Sequence, residues 1–369
     1  MERPGNAEFA SIQNPMILPA SQAATLALLV ISLICWGSWA NTLKLAGRWR
    51  FELYYYDFAL GFALLAVGAA FTAGSLNSNE LTFQDNFLIT GYRNIAYIVA
   101  AGIIFNLGNM LLGATLSVAG MTLAFTFTFA VALVVSTAWN LIFEVPSGML
   151  LSLGGAALLL AAVLLAVFTY NRHADAREAA KRAALEAGPR PKNTRSPSRD
   201  TGIAQAITLG VLGGIALGLF RIPLESALQG DNGVAPYGAA LLFALGIFGS
   251  TLVFGPFFFN FPVSGGPIGL RNYFTGTGKQ HGLGVLGGML AATGFLTGLL
   301  ALFAPPFLRT PAVASYMLSQ GGPALAVLWG LFAWREFKGA AERTRLLFVF
   351  MWIIFAAGIG LLAVARRQG

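Results

Sequence analysis

Long apolar stretches, unbroken by alternating polar positions, recur along the whole chain. Ten can be marked, at 22–43, 54–74, 93–116, 119–142, 147–170, 203–223, 236–259, 281–303, 311–333 and 345–365. A helix needs about 20 apolar residues to cross the hydrocarbon of a bilayer. Backbone amides in lipid must be bonded within helices or closed barrels, and the lack of a two-residue period here predicts helices. Connections such as Ser117-Val118-Ala119-Gly120 and Glu144-Val145-Pro146-Ser147 leave room only for tight antiparallel turns. The exception runs from Asn171 to Gly202 and divides the ten runs into two sets of five. It opens with a charged helical extension, Ala174 to Ala187, and then meets the helix-breaking Gly188-Pro189-Arg190-Pro191. The predicted organisation is therefore a tail (1–21), a first five-helix repeat (22–170), a basic linker (171–202), a second five-helix repeat (203–365) and a short tail (366–369). An odd set of spans ends on the face opposite its start, so the second set runs upside down relative to the first. The expected fold class is an all-α integral membrane protein with ten transmembrane helices in two inverted five-helix repeats. Inverted halves of this kind belong to secondary transporters, with the solute site between the repeats near the midplane.

Composition excludes a soluble domain. The chain has 369 residues, of which 56% are hydrophobic and 10% charged, against about 25% charged in a soluble protein. A mean hydropathy of +0.70 agrees. The 44 glycines suit closely packed membrane helices. Cys35 is the single cysteine, so no intrachain disulfide can form, and it is expected to fill space in the first run. Residues before Ser21 carry Arg3 against Glu2 and Glu8 with no small-residue cleavage pattern after them, so no cleavable signal is expected.

The net charge of +8 would suggest acidic partners for a soluble protein. Here its distribution sets orientation instead. Of the 23 Lys and Arg, 17 fall in the connections after runs 1, 5, 7 and 9, eight of them between Arg172 and Arg199. The positive-inside rule places that face, with the linker, in the cytoplasm and both termini outside, although Arg366 and Arg367 pull the other way. The expected location is the cell (inner or plasma) membrane, crossed many times.

The halves repeat. Trp36-Gly37-Ser38-Trp39-Ala40-Asn41-Thr42-Leu43-Lys44 ends run 1, and Leu217-Gly218-Leu219-Phe220-Arg221-Ile222-Pro223-Leu224-Glu225 ends run 6. Aligning Gly37 with Gly218 matches Trp39 to Phe220 and Lys44 to Glu225. Runs 4 and 9 both end in Trp followed by Glu, Trp139 with Glu144 and Trp329 with Glu336.

Polar residues inside apolar runs mark an interior or a pathway, because exposing them to lipid is costly. Candidates for solute binding are Trp36, Trp39, Asn41, Asn106, Asn109, Thr126, Arg221 and Gln320, with Ser38, Thr128, Asn260 and Ser319 nearby in the pattern. Asn106 and Asn109 share one helical face and either bind a ligand or stitch their helix to a neighbour. Arg221 and Glu225 are an i,i+4 pair around Pro223, which frees a carbonyl; they form either a solute site or a surface ion pair. For proton coupling, Glu225 and then Glu144 are the candidate carriers, although Glu144 and Glu336 are expected to bond helix ends or loop amides rather than shuttle protons. Gly210, Gly214 and Gly218, and Gly294 and Gly298, are spaced for close helix packing. The two histidines, His173 and His281, make no H-E-x-x-H site, and Gly276-Thr277-Gly278-Lys279-Gln280 is not a P-loop. No cofactor and no metal are expected.

Ten helices in two inverted repeats resemble the drug/metabolite transporter superfamily. The stretch from Val327 through Trp329, Trp334, Glu336 and Lys338 to Thr344 is similar to plant ureide permeases, as are Gly37-Ser38-Trp39 and the region Asn260-Phe261-Pro262 to Asn272-Tyr273. Trp36-Gly37-Ser38 is also similar to glucose/ribose-type uptake proteins. The resemblance spans nearly the whole chain and implies proton-coupled uptake of a small polar solute: a ureide, a nucleobase-like oxo-heterocycle or a sugar. The plant family's Walker-A-like motif has no counterpart in the linker here, and Ala40 stands where the plant family has Pro.

The function expected is a secondary active transporter, a proton-coupled importer of a small polar metabolite, and not an enzyme. The alternatives are an exporter of metabolites, amino acids or drugs from the same superfamily, and a membrane-embedded transferase, for which clustered acids or a nucleophile dyad are missing. Expected partners are the solute, protons and the lipid bilayer, not nucleic acid; a homo-oligomer is left open.

Overall fold

A computed structural model describes residues 17–75, 82–143, 148–186, 199–230, 232–263 and 265–365. The described chain is all helical, and nine of its helices are long and apolar enough to cross a membrane. In order they are α1 (Gln22–Leu45), α2 (Phe51–Phe71), α3 (Phe83–Ile89), α4 (Tyr92–Ala119), α5 (Met121–Phe143), α6 (Met149–Glu186), α7 (Arg199–Leu219), α8 (Arg221–Leu228), α9 (Pro236–Asn260), α10 (Gly278–Leu302), α11 (Ala312–Leu328) and α12 (Glu342–Ala365). The short α3 has no counterpart among the apolar runs; a Thr82–Asp85 capping box starts it.

Three runs differ from continuous spans. The sixth divides into α7 and α8 at Phe220, three residues before Pro223, which has no N–H to give the Leu219 carbonyl. The ninth is a 17-residue helix, α11, with Pro323 inside it, continuing as a five-residue π segment over Trp329–Ala333. It is the run that falls short of a full-length span. The fifth extends past the apolar stretch, so the expected charged extension is continuous with α6 as far as Glu186, while Gly188 to Pro191 lie outside the described residues.

The face on which α6 gives way to the linker is called here the linker face. On it meet the end of α1, the starts of α2, α5, α10 and α12, and the π segment. On the opposite face, Asn86 Oδ1 accepts from the Ala235 N–H at 2.8 Å and Asn94 Nδ2 donates to Asn232 O at 2.9 Å, tying the α3–α4 corner to the start of α9.

Packing crosses between the halves. α1 packs on α10 and α11, α2 on α9 and α10, α4 on α7 and α9, α5 on α7 and α11, and α6 on α12. Glycines set the closest approaches. A β-carbon at Gly61 would lie 2.0 Å from Val285 O, and one at Gly288 1.9 Å from Phe58 O, so α2 and α10 touch backbone to backbone. Gly102 and Gly246 do the same for α4 and α9, each 2.3 Å from a carbonyl of the other helix. In lipid there is no hydrophobic drive between helices, so such close dispersion contacts carry much of the association. Phe62, Phe105, Phe243 and Phe295 fill the centre, Phe243 and Phe295 stacking at 4.1 Å.

Gly288→Ala and Gly246→Ala, which drive a methyl into a carbonyl, are expected to destabilise by at least the usual overpacking cost of about 1–3 kcal/mol. Gly68→Ala and Gly360→Ala, where a β-carbon meets nothing, are expected to be neutral or stabilising by about 0.4–1 kcal/mol. Thermal unfolding of the detergent-solubilised variants checks the contrast.

Candidate functional site

The N-terminus of α5 has no cap of its own. Gly120 alone joins α4 to α5, at φ +85, and carries no side chain to meet the free amides. Glu336, 216 positions further along the chain, supplies the cap. Its Oε1 accepts from the Met121 N–H and its Oε2 from the Thr122 N–H, both at 2.8 Å. Lys44, at the end of α1, donates to the same carboxylate. A β-carbon on Gly120 would stand 3.1 Å from Glu336 Oε1, so that position needs glycine both for its backbone and for this approach. Burial works against the charge of Glu336, but Lys44 and Thr122 outweigh it and hold the carboxyl below its ordinary value of 4.5.

The π segment brings the other donors. Trp334 Nε1 donates to Asn41 Oδ1 at 2.7 Å, Trp329 Nε1 to Ser38 Oγ at 3.2 Å, and Lys44 Nζ lies 4.9 Å from the Trp334 ring. Arg335, between Trp334 and Glu336, takes φ +49, a left-handed conformation that a non-glycine residue seldom adopts. The end of α1, the start of α5 and the end of α11 are thus tied into one latch on the linker face.

A polar cavity opens on the opposite face. It has a volume of about 210 Å³ and is lined by Ser136, Trp139 and Asn140 of α5, by Arg221 and Glu225 of α8, and by Gln229. Arg221 donates to Glu225 Oε1 at 2.9 Å, with both side chains partly exposed. This is the i,i+4 pair marked in the sequence.

Between the two faces the other marked residues scatter. Trp36 is half-buried, edge-on to Phe105 at 5.6 Å. Trp39 is sealed, 1% exposed, between Phe58 and Phe125. Asn106 Nδ2 donates to Ser250 Oγ and Thr251 Oγ1, both 2.9 Å away, so it does stitch α4 to α9. Its Oδ1, like Asn109 Nδ2 and Thr128 Oγ1, is buried without a hydrogen-bond partner. Thr126 bonds back to Thr122 O, and Gln320 Nε2 donates to Ser319 Oγ. Glu144 lies outside the described residues.

One cluster has no counterpart among the marked residues. Asp57, in the second turn of α2 and with its side chain 2% exposed, accepts from the Tyr273 hydroxyl at 2.5 Å. His281 Nδ1 lies 2.9 Å from Asp57 Oδ2 and 3.0 Å from Oδ1. Trp49 and Tyr273 pack edge-on against the imidazole, at 5.3 and 4.7 Å. Burial and the bond to the Asp57 carboxylate push the Tyr273 hydroxyl above its ordinary value of 10.0, so it stays a donor. The available sequence signal was an acid within an apolar run.

No family model matches the chain. Ureide permease 4 of Arabidopsis thaliana is 23% identical over an alignment of 402 residues, which covers 94% of this chain and 98% of the plant protein. The chain is a distant homologue of that ureide permease. A crystal structure described only as that of a protein overlaps 94% of this chain and 99% of its own, at 13% identity and a TM-score of 0.48. The homology and the apolar helices together make this a multi-pass membrane protein and a transporter homologue. Within it, the segment that carried the sequence resemblance, 327–344, is the one that builds the latch.

Removing the Glu336 carboxylate leaves Lys44 and two helix-terminal amides unpaired. Glu336→Ala is expected to cost about 1–3 kcal/mol, as for leaving partly buried donors without their acceptor, and Lys44→Met with Glu336→Met to cost less. Because the folded carboxyl titrates below 4.5, its stabilisation is full above that value and is lost as pH falls through the folded value. Melting temperatures at pH 7 and pH 4 check both.

Proposed function

We propose that the chain is a secondary active importer of a small polar solute, working by alternating access between two inverted five-helix repeats and driven by a proton gradient. The observation that carries this reading is an asymmetry: a polar cavity open on one face, and on the other a latch tying the ends of α1 and α11 to the start of α5. With the linker in the cytoplasm, as its basic residues argue, the cavity faces outward, ready to receive solute.

Matched packing supports the repeats. Gly37 of α1 approaches Gly322 O and Leu325 Cβ of α11; Gly218 of α7 approaches Ala132 O and Val135 Cβ of α5. Gly294 of α10 meets Trp36, and Gly108 of α4 meets Leu217. The step from Gly37 to Gly218 also takes Trp36 to Leu217, and the step from Gly102 to Gly288 takes Gly108 to Gly294. A duplicated five-helix unit inserted in opposite directions produces such pairs.

The cavity's chemistry suits a ureide or oxo-heterocycle. Such rings alternate carbonyls and N–H groups: Arg221 can donate to the first and Glu225 accept from the second, with the Asn140 and Gln229 amides doing both and Trp139 offering a flat face. A volume of 210 Å³ is that of about seven waters at ~30 Å³ each, room for a small heterocycle. Further in, Asn106 Oδ1, Asn109 Nδ2 and Thr128 Oγ1 are unspent polar capacity along the route. A sugar would use the same hydrogen-bonding groups of the cavity.

Uptake of radiolabelled allantoin, uracil and glucose into proteoliposomes, with and without a pH gradient, tests the reading. Gradient-dependent accumulation of at least one is expected; accumulation of none of them overturns it. Arg221→Ala is expected to raise KM about 10- to 100-fold, the loss of a charged hydrogen bond worth about 1.5–3 kcal/mol, while uptake keeps its dependence on the gradient.

A further inference from the structure

Among the described carboxylates with almost no exposure, Glu52 is paired with Arg50, a cation at any physiological pH. Asp57 has no such partner: its ion-pair partner is an imidazole and its other neighbour a phenol. We propose that Asp57, His281 and Tyr273 form the site that carries the coupling proton, and that the latch on the linker face controls its access to water. This assignment rests on the transport reading above and moves the proton away from the solute cavity, where Glu225 is engaged by Arg221.

The charge balance gives the reason. With a proton on the imidazole, the Asp57–His281 pair is neutral; without it, one negative charge is left in a site walled by Tyr273 and by Gly284 of α10. An unpaired buried charge is strongly disfavoured, which gives the proton-free pair a reason to meet water. Release is the deprotonation of the imidazolium to neutral imidazole, the proton passing from Nε2 to water while Nδ1–H stays on the Asp57 carboxylate. Nε2 packs beside Gly276, where a β-carbon would come within 2.6 Å of it and 2.5 Å of the Trp49 ring. The His281 side chain is 27% exposed, against 2% for Asp57.

What covers the imidazole is not the helix pair that holds it. α2 and α10 are closed on each other by Gly61 and Gly288, and Gly284 packs directly on the Asp57 side chain. The covers are Trp49, in the connection that follows α1, and Tyr273, in the short 3₁₀ turn Leu270–Thr275 before α10. Trp49 lies five residues beyond Lys44, the α1 residue held by Glu336. Opening the latch frees the end of α1 and, with it, Trp49. Proton release and solute release then share one movement.

Other titratable groups surround the site. On α2 they are Tyr54, whose hydroxyl is bonded to Thr42, Tyr55, bonded to Asn109 O, Tyr56, whose ring centroid lies 5.8 Å from that of Tyr273, and the Arg50–Glu52 pair at the helix start. Arg48 precedes Trp49 in the connection, and Arg271 lies in the 3₁₀ turn with Tyr273. On α10 only Lys279 precedes His281, and it is exposed. α9 carries a single titratable residue, Tyr237, at its far end, and Tyr92, Arg93 and Tyr97 of α4 also lie at the far end. On α1 the candidates are Cys35 and Lys44, the latter committed to Glu336.

The test needs no solute for its first arm. Imidazolium quenches a tryptophan it touches, so the fluorescence of the detergent-solubilised full chain is titrated between pH 5 and 9 for wild type, Asp57→Asn, His281→Gln and Trp49→Phe. The expected result is a step in wild type that is absent in His281→Gln and Trp49→Phe, and displaced at least tenfold in proton concentration in Asp57→Asn. No step in wild type, or a step that survives in His281→Gln, overturns the proposal whatever the transport assays give. In proteoliposomes, gradient-driven accumulation is expected to fall at least tenfold in Asp57→Asn while solute counterflow continues, a split that misfolding would not produce. Accumulation with the wild-type pH profile overturns it. Should Asp57→Asn fail to fold, His281→Gln carries the same comparison.

Discussion

A helix that begins in the turn of a single glycine exposes amides that nothing local can satisfy, and in this chain that constraint organises the linker face. The amides of Met121 and Thr122 need an acceptor, and the Glu336 carboxylate arrives from the far end of α11 to provide it. To reach it, the chain leaves α11 through a π segment and a left-handed Arg335, both departures from ordinary helix. That detour also sets Trp329 and Trp334 against Ser38 and Asn41 of α1. One unmet backbone requirement thus draws together three helices of the two halves.

The rest of the body is held differently. Where α2 meets α10 and α4 meets α9, contact is between backbones across glycine, with no side chain that could be exchanged for water. Such interfaces are dense and resist partial opening. The latch, by contrast, is a set of hydrogen bonds and one ion pair with its charges partly exposed, 19% for Lys44 and 16% for Glu336. Pairs of that kind return much of their attraction when water replaces the partner. The molecule therefore divides into glycine-packed pairs suited to move as units and a polar seam suited to separate.

Much of this was legible in the sequence, for physical reasons that also explain the gaps. Apolar length located the helices because lipid leaves the backbone no other solution, and every described helix but the short α3 falls on a marked run. Proline marked two of the irregular places, Pro223 near the α7–α8 break and Pro323 in α11, but the π segment follows from tertiary bonds to α1 and α5 that no local pattern contains. Glu336 could be read as bonding loop amides, since a carboxylate ending a span has few other partners. Its pairing with Lys44, 292 positions away, could not. Asp57 was overlooked although an acid inside an apolar run is a strong signal. It lies close to the helix start, where an acid passes for a surface residue, and only the fold brings Tyr273 and His281 to it.

The separation of the charged groups has a consequence for how such a molecule can work. Arg221 and Glu225 sit on the face opposite Asp57 and His281, so the solute cavity and the buried acid do not share a solvent compartment. Coupling between them cannot be direct electrostatics, which falls off across a helical body and is screened at both surfaces. It has to pass through a conformational equilibrium that both sites bias. A ligand shifts such an equilibrium only by its difference in affinity for the two states. Asp57 supplies that difference, because a buried cluster that is neutral with a proton and charged without it has unequal stability covered and uncovered. Five residues separate Lys44 from Trp49, which is how the proposed mechanism carries a change at the latch to the cover of His281. In the proposed mechanism, the bonds that close one face against solute are the same bonds that decide whether the proton can leave.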